Sequence, residues 1–327
     1  MIQFSIIYDN DVFINHGIEE FGLLKEIFKR LLHLMPIFLG ITLVVFLLMH
    51  VGNMDAVDAL YDKNGAVSAS VKAAGRAELG LDKPLIYQYG DWLLKIMQGD
   101  MGTSYINGGA VMSLMLTKLP ATIELMLLSL VLTFIVAIPG GVVAALYKDS
   151  WFDYTLRLLS FIGNSLPNFL AGLLLLYIFS WQLKIFPIIA GDNWDGIVLP
   201  ALTLTIAMSS RYTRQVRTLV LEELSKPYVL GLKSRGIGDF YIIKNSVWPG
   251  VLSPLINLAA MSAGSLLGGA VIVETIFAWD GIGKFALEAI MNRDLPVVQA
   301  YVLWLAFIYV WLNLAADIYC NYRGKNR

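Results

Sequence analysis

The chain has 327 residues, of which 57% are hydrophobic and only 15% charged, with a formal net charge of −1 at pH 7 and a mean hydropathy of +0.66. Soluble domains carry roughly 25% charged residues and nucleic-acid binders a basic excess, so a soluble enzyme, a disordered regulator and a nucleic-acid-binding protein are all excluded. Cys320 is the one cysteine, so no internal disulfide exists. The chain reads as an integral membrane protein.

A helix needs about 20 mostly apolar residues to cross the hydrocarbon core. Residues 1–30 carry Asp9, Asp11, Glu19 and Glu20 and no small-residue cleavage site, which is not a signal peptide. They form a cytoplasmic leader, either unstructured or with a short amphipathic helix over 16–29. The first span is 31–49. Residues 50–120 form a long extracytoplasmic loop with helix-like pieces at 67–79 and 87–97, either a dock for an outer partner or a lid over the bundle. Residues 121–320 carry five more spans, at 121–146, 158–181, 199–209 with a polar continuation, 252–277 and 298–318, and a tail occupies 321–327. These runs are continuous rather than alternating with period two, which excludes a transmembrane barrel. The expected fold is an all-α bundle of six transmembrane helices. With both termini inside, fifteen lysines and arginines lie on the inner side and three in the short outer loops, which sets a cytoplasmic position for both ends.

The inner segment 219–251 is too long for a turn. Ser225-Lys226-Pro227-Tyr228 reads as a helix start, and Gly236 and Gly238 read as its stop. The helix of about two turns carries Tyr228, Val229 and Leu232 on one face, with Lys233 and Arg235 at its end. It is either a docking knob for a cytoplasmic protein or a plain surface turn.

Elements of catalysis are missing. His16, His33 and His50 are scattered, with no HExxH motif. Gly163-Asn164-Ser165 lacks the second glycine of a nucleophile elbow. Gly281-Ile282-Gly283-Lys284 is too short for a phosphate-binding loop. Polar groups within the bilayer are therefore the candidates. Glu124 and Glu274 near the outer ends of their spans either line a translocation path or gate, or bond to helix termini. For Glu274, near a helix C-terminus, the second role is disfavoured, because negative charge suits N-termini. His50, with Met49 and Met54, is either a soft-metal contact or an interfacial histidine. Ala260, Gly264 and Gly268 repeat every four residues and fit close helix packing, as do Gly140 and Ala144. Pro139 and Pro167 are candidate kinks.

Four stretches carry a resemblance. Tyr228-Val229-Leu230-Gly231-Leu232-Lys233-Ser234-Arg235-Gly236 looks like the coupling segment of binding-protein-dependent ABC importer permeases. The others are Leu79-Gly80-Leu81-Asp82-Lys83-Pro84-Leu85 with Gly99-Asp100-Met101-Gly102-Thr103-Ser104-Tyr105; Leu119-Pro120-Ala121-Thr122-Ile123-Glu124-Leu125; and Gly268–Phe277 with Gly281-Ile282-Gly283 and Asn292-Arg293-Asp294. Together they resemble the dipeptide/oligopeptide/nickel branch over about residues 26–323. Asp280 stands where that branch usually has proline, and Leu232 where it has a small residue. The resemblance implies a type I importer permease in the bacterial cytoplasmic membrane, without enzymatic activity, cofactor or metal site of its own. Its implied partners are a second homologous permease, two cytoplasmic ABC ATPases that bind ATP and Mg, and an extracytoplasmic binding protein, with no nucleic acid. Tyr228, Val229, Leu232, Lys233, Arg235 and Gly236 would meet the ATPase, and the cargo would be short peptides or nickel and other metal chelates. An ion-coupled secondary transporter is the alternative; it should show inverted halves, and none are visible.

Overall fold

The computed structural model describes residues 32, 35–47, 57, 68–78, 80–191 and 194–325. Among them the chain is helical, without a strand beyond one isolated bridge between Thr103 and Ala110. The helices are α1 (Met35–Leu47), α2 (Ala69–Glu78), α3 (Leu85–Met97), α4 (Val111–Leu146) and α5 (Trp151–Ser165). Next come α6 (Asn168–Leu175, running on as π-helical turns over Leu176–Gln182), α7 (Val198–Leu224) and α8 (Pro227–Ser234). Last are α9 (Asp239–Ile276, with a π-helical turn over Ile243–Val247), α10 (Ile282–Met291) and α11 (Leu295–Lys325).

By length and composition α4, α9 and α11 each suffice to cross a membrane, and the pair α5–α6 makes a fourth crossing if its two limbs are one span. The expected count of six therefore does not follow from the described helices alone. The expected span 121–146 is the later part of α4, which begins at Val111 and carries Pro120 and Pro139 inside it. The expected span 158–181 is not straight, because α5 and α6 meet at 98° across the break before Asn168. Pro167 ends a helix there, whereas Pro139 sits within an unbroken one.

The expected fourth span, 199–209, is the first part of α7. This helix runs on through Arg211, Arg214 and Arg217, and it is walled in by the bundle. Enclosure removes the need for an apolar surface. Its hydroxyls turn back onto its own carbonyls, Thr203 to Leu199 at 2.8 Å, Thr205 to Ala201 at 2.7 Å and Thr213 to Ser209 at 2.7 Å. Around it the central core gathers Leu125 and Met126 of α4, Leu199 and Leu204 of α7, Leu266 and Leu267 of α9, and Phe277. Outside, α5 presents Trp151, Phe152, Leu158, Leu159 and Phe161 to the surroundings, as a lipid-facing helix must.

One close crossing is α4 on α7. A Cβ on Gly141 would lie 2.6 Å from Val216 and 2.8 Å from the Thr213 carbonyl, while one on the neighbouring Gly140 would meet Thr213 Cγ2 at 3.4 Å. Gly141→Ala is therefore expected to cost about 2 kcal/mol by overpacking, and Gly140→Ala to cost little. Thermal unfolding of the two purified variants in detergent checks this: a lower midpoint for Gly141→Ala alone is the expected result.

Candidate functional site

At one end of the bundle, α8 is a short helix seated on the chain. Lys226 caps its start with Pro227 in the first turn, and its end is a complete Schellman motif. Gly236 takes φ +76°, its N–H reaches the Lys233 carbonyl at 2.9 Å, and the Ile237 N–H reaches Leu232 at 3.3 Å. Val229 is fully buried against Val216 and Val220 of α7 and Ile242, Val247 and Val251 of α9, with Leu232 and Ile237 partly buried in the same cluster. Part of the face expected to dock, Val229 and to a lesser degree Leu232, thus holds the helix down. Val229 cannot reach a partner and Leu232 is half-buried, whereas Tyr228 is 45% exposed, with its hydroxyl on Glu223 Oε1 at 2.6 Å. The outward side consists of Tyr228, Leu230, Lys233, Ser234, Arg235 and Gly236, and beyond it Phe240 is 80% exposed. Val229 turns inward because an apolar residue on a short helix faces its own core before it faces anything else.

At the other end, motifs far apart in the chain meet. Glu274, 0% exposed, lies in the last turn of α9 and faces the first turn of α10. Its carboxylate accepts the Thr122 hydroxyl at 2.7 Å, the Lys284 N–H at 2.9 Å and the Gly283 N–H. Thr122 Oγ1 accepts the Ile282 N–H at 2.9 Å, and the Gly281 N–H goes to the Trp279 carbonyl at 2.9 Å. Four donors that a helix start leaves open are all satisfied. Side chains on Gly281 or Gly283 would strike the carboxylate. Trp279 adds an indole N–H to the Ala121 carbonyl at 2.9 Å, and Lys118 pairs with Asp280 at 2.6 Å, which gives a use to the residue found in place of proline. Nearby, buried Asp294 accepts the Ser104 hydroxyl at 2.5 Å and the Tyr105 N–H at 3.0 Å, tying the loop before α4 to the start of α11.

Glu274 therefore does cap a helix N-terminus, that of the next helix, and no part of it is open to a water-filled path. Glu124 is exposed on α4, well inside the helix because α4 starts at Val111, so it caps nothing. Of the packing residues, Ala260 is buried, a Cβ on Gly264 would overlap the Tyr309 ring of α11, and Gly268 is exposed with open space beside it. His50 lies outside the described residues. Among those residues no group of three or more His, Cys, Asp or Glu is placed to hold a metal.

One polar cluster was invisible in the sequence pattern. Arg217 of α7 grips buried Asp153 of α5 with two bonds of 2.7 Å, Nε to Oδ1 and Nη2 to Oδ2, and Asp153 also accepts the Asp149 N–H at 3.1 Å. Only the Ser150–Asp153 spacing, a capping-box pattern at the start of α5, hinted at it.

Residues 137–322 match the family model described as the binding-protein-dependent transport system inner membrane component, and residues 23–126 match that of the N-terminal part of such components. The chain belongs to this family. It is similar to the metal-staphylopine import system permease protein CntB of Staphylococcus aureus, 33% identical over 297 residues that cover 90% of this chain and 95% of CntB. It is also 30% identical to the glutathione transport system permease protein GsiC of Salmonella choleraesuis, over 90% of this chain and 96% of that one. A chain in the structure of the inward-facing MetNI methionine ABC transporter shares the fold, with TM-score 0.56 and 16% identity over 65% of this chain and 97% of that chain.

The protein is thus a permease subunit of an ABC importer in a bacterial inner membrane, of the peptide/nickel type, with the type I permease fold. Such permeases are non-catalytic, and membership implies ATPase, binding-protein and second-permease partners. A transporter working alone on an ion gradient, the alternative left by the sequence, is set aside. Glu274→Ala leaves three buried donors unmet and is expected to cost on the order of 3 kcal/mol, with Glu274→Gln costing less. Detergent melting of the two variants checks the order; equal midpoints with the parent contradict it.

Proposed function

We propose that this permease carries small peptides or metal chelates by alternating access between two packings of its bundle, with an ATPase seated against the outer side of α8. The observation that carries this reading is α8 itself. A helix of eight residues is too short to hold its shape alone, yet this one is pinned from behind by Val229 and closed by a Schellman end, so it is rigid and protrudes. A rigid projection fits the transfer of a push; a floppy loop does not. Docking then falls to the exposed Tyr228 ring, Leu230, Lys233, Arg235 and the turn at Gly236, with Val229 and Leu232 serving from inside.

The complex contains a second homologous permease and two ABC ATPases, which bind ATP and Mg, and an extracytoplasmic binding protein docks at 50–120. The end with α8 faces the cytoplasm, in line with the fifteen-to-three bias of basic residues. Six spans result when α1 and the bundle-enclosed α7 are added to the four crossings described above. Glu124 is the candidate contact to cargo, because an exposed carboxylate at membrane depth faces water or a partner rather than lipid. The cargo class follows the relatives, one named for metal-staphylopine and one for glutathione, a tripeptide.

Two outcomes are expected. Leu230→Asp, purified from its own membrane in mild detergent, retains the second permease but loses the ATPases by about tenfold or more, the effect of a charge in an interface centre. Glu124→Gln retains both and lowers uptake of nickel chelate or glutathione in proteoliposomes supplied with the binding protein. ATPase recovery unchanged in Leu230→Asp contradicts the docking assignment.

A further inference from the structure

We propose that the Tyr228 hydroxyl is the link by which displacement of α8 is passed to α9, making Tyr228 and Glu223 positioning residues for transport; this rests on the reading of α8 as the ATPase-docking helix. Three elements converge on that hydroxyl. Glu223, at the end of α7, is only 8% exposed and accepts it at Oε1 at 2.6 Å, while Oε2 takes Lys226 Nζ at 2.6 Å. The Ser246 carbonyl, inside the π-helical turn of α9, lies 3.3 Å from the same hydroxyl. Opposite, Gly250 of α9 faces the Glu223 carboxyl group so closely that a Cβ would overlap it.

The covalent route from α8 to α9 is a poor transmitter. It runs through residues 235–238, with Gly236 in the left-handed region and Gly238 just before α9. Two glycines in four residues let α8 pivot while α9 stays. The Val229 contacts to Ile242, Val247 and Val251 are apolar packing, which passes on compression but has no bond to resist a pull or a slide. The Lys233–Asp239 pair at 3.1 Å joins two solvent-exposed side chains, and such pairs are weak. The Tyr228 bond to the buried Glu223 carboxylate is short and directional, and that carboxyl group is packed against Gly250 of α9, so the hydroxyl reaches α9 through it as well as through the longer contact to Ser246.

The receiving end suits the role. A π-helical turn is a wide, easily altered stretch of helix, often found where helices work. Beyond it α9 runs without a break to Ile276, so a shift at Ser246 travels along one rod to the Glu274 corner at the other end. The hydroxyl therefore connects the docking helix to the far corner through a single helix.

Hydrogen exchange on the intact complex, in lipid nanodiscs with its copurified ATPases, tests this by comparing the nucleotide-free state with ATP plus vanadate. In the parent, peptides over 227–236 and over 243–251 both change protection. In Tyr228→Phe, which keeps the ring and loses the hydroxyl, the change over 227–236 stays, and that over 243–251 falls roughly tenfold, the worth of one hydrogen bond to a charged group. Glu223→Gln, which keeps an acceptor and loses the charge, gives a partial fall. Full transmission in Tyr228→Phe overturns the link and leaves docking at α8 intact. Loss of the ATPases from Tyr228→Phe also overturns it, because the hydroxyl would then seat α8 rather than connect it. No response over 227–236 in the parent overturns the docking reading itself.

Discussion

Among the described residues, four carboxylates are buried: Asp153, Glu223, Glu274 and Asp294, and each sits where a helix starts or stops. Backbone polar groups in a membrane protein must find partners inside the protein. Unbroken helices meet that demand alone, but a break frees donors that lipid cannot satisfy. A carboxylate has two oxygens and accepts several N–H groups at once, so one acid can meet more than one open donor at a helix start. Glu274 does so for α10, Asp294 accepts a backbone N–H from the loop before α4, and Asp153 accepts one from the turn before α5. Glu223 is the exception in kind, taking Lys226 and Tyr228 side chains where α7 gives way to α8.

The result is a bundle of stiff rods joined at pinned corners. Rods that keep their internal bonds move as bodies, and corners held by specific acids tend to have discrete arrangements rather than a continuum of them. Switching between two packings needs that combination. Close glycine contacts complete it, Gly141 on α7 and Gly264 on α11, where backbones come near enough for small shifts to be felt across the crossing.

The sequence was legible where signals were local. The Gly236 stop placed the end of α8, and the pieces at 67–79 and 87–97 match α2 and α3 to within a few residues, where Gly80 and Gly99 take positive φ just past the helix. Membrane character, helix dominance and family were also legible, the last through motifs whose reason for coexisting is now visible: Thr122 meets Gly281 and Ile282, and Ser104 meets Asp294, across the fold. Long-range matters were not legible. Nothing local says that Val229 faces inward or that Asp153 waits for Arg217, sixty-four positions away. Glu274 was judged by the helix it belongs to, and its partner is α10, which the apolar runs do not reveal. The apolar run begins at 121, whereas the helix that contains it begins at Val111 and passes through Pro120.

Amide exchange at Ile282, Gly283 and Lys284 in the bilayer-embedded permease tests the claim about buried carboxylates most directly. First-turn amides of a helix ordinarily lack acceptors and exchange fast. With Thr122 and Glu274 occupying them, these three are predicted to exchange as slowly as amides in the middle of α9. Exchange at the rate of a frayed helix end would contradict the account, because the corner would then be held by something other than its acid.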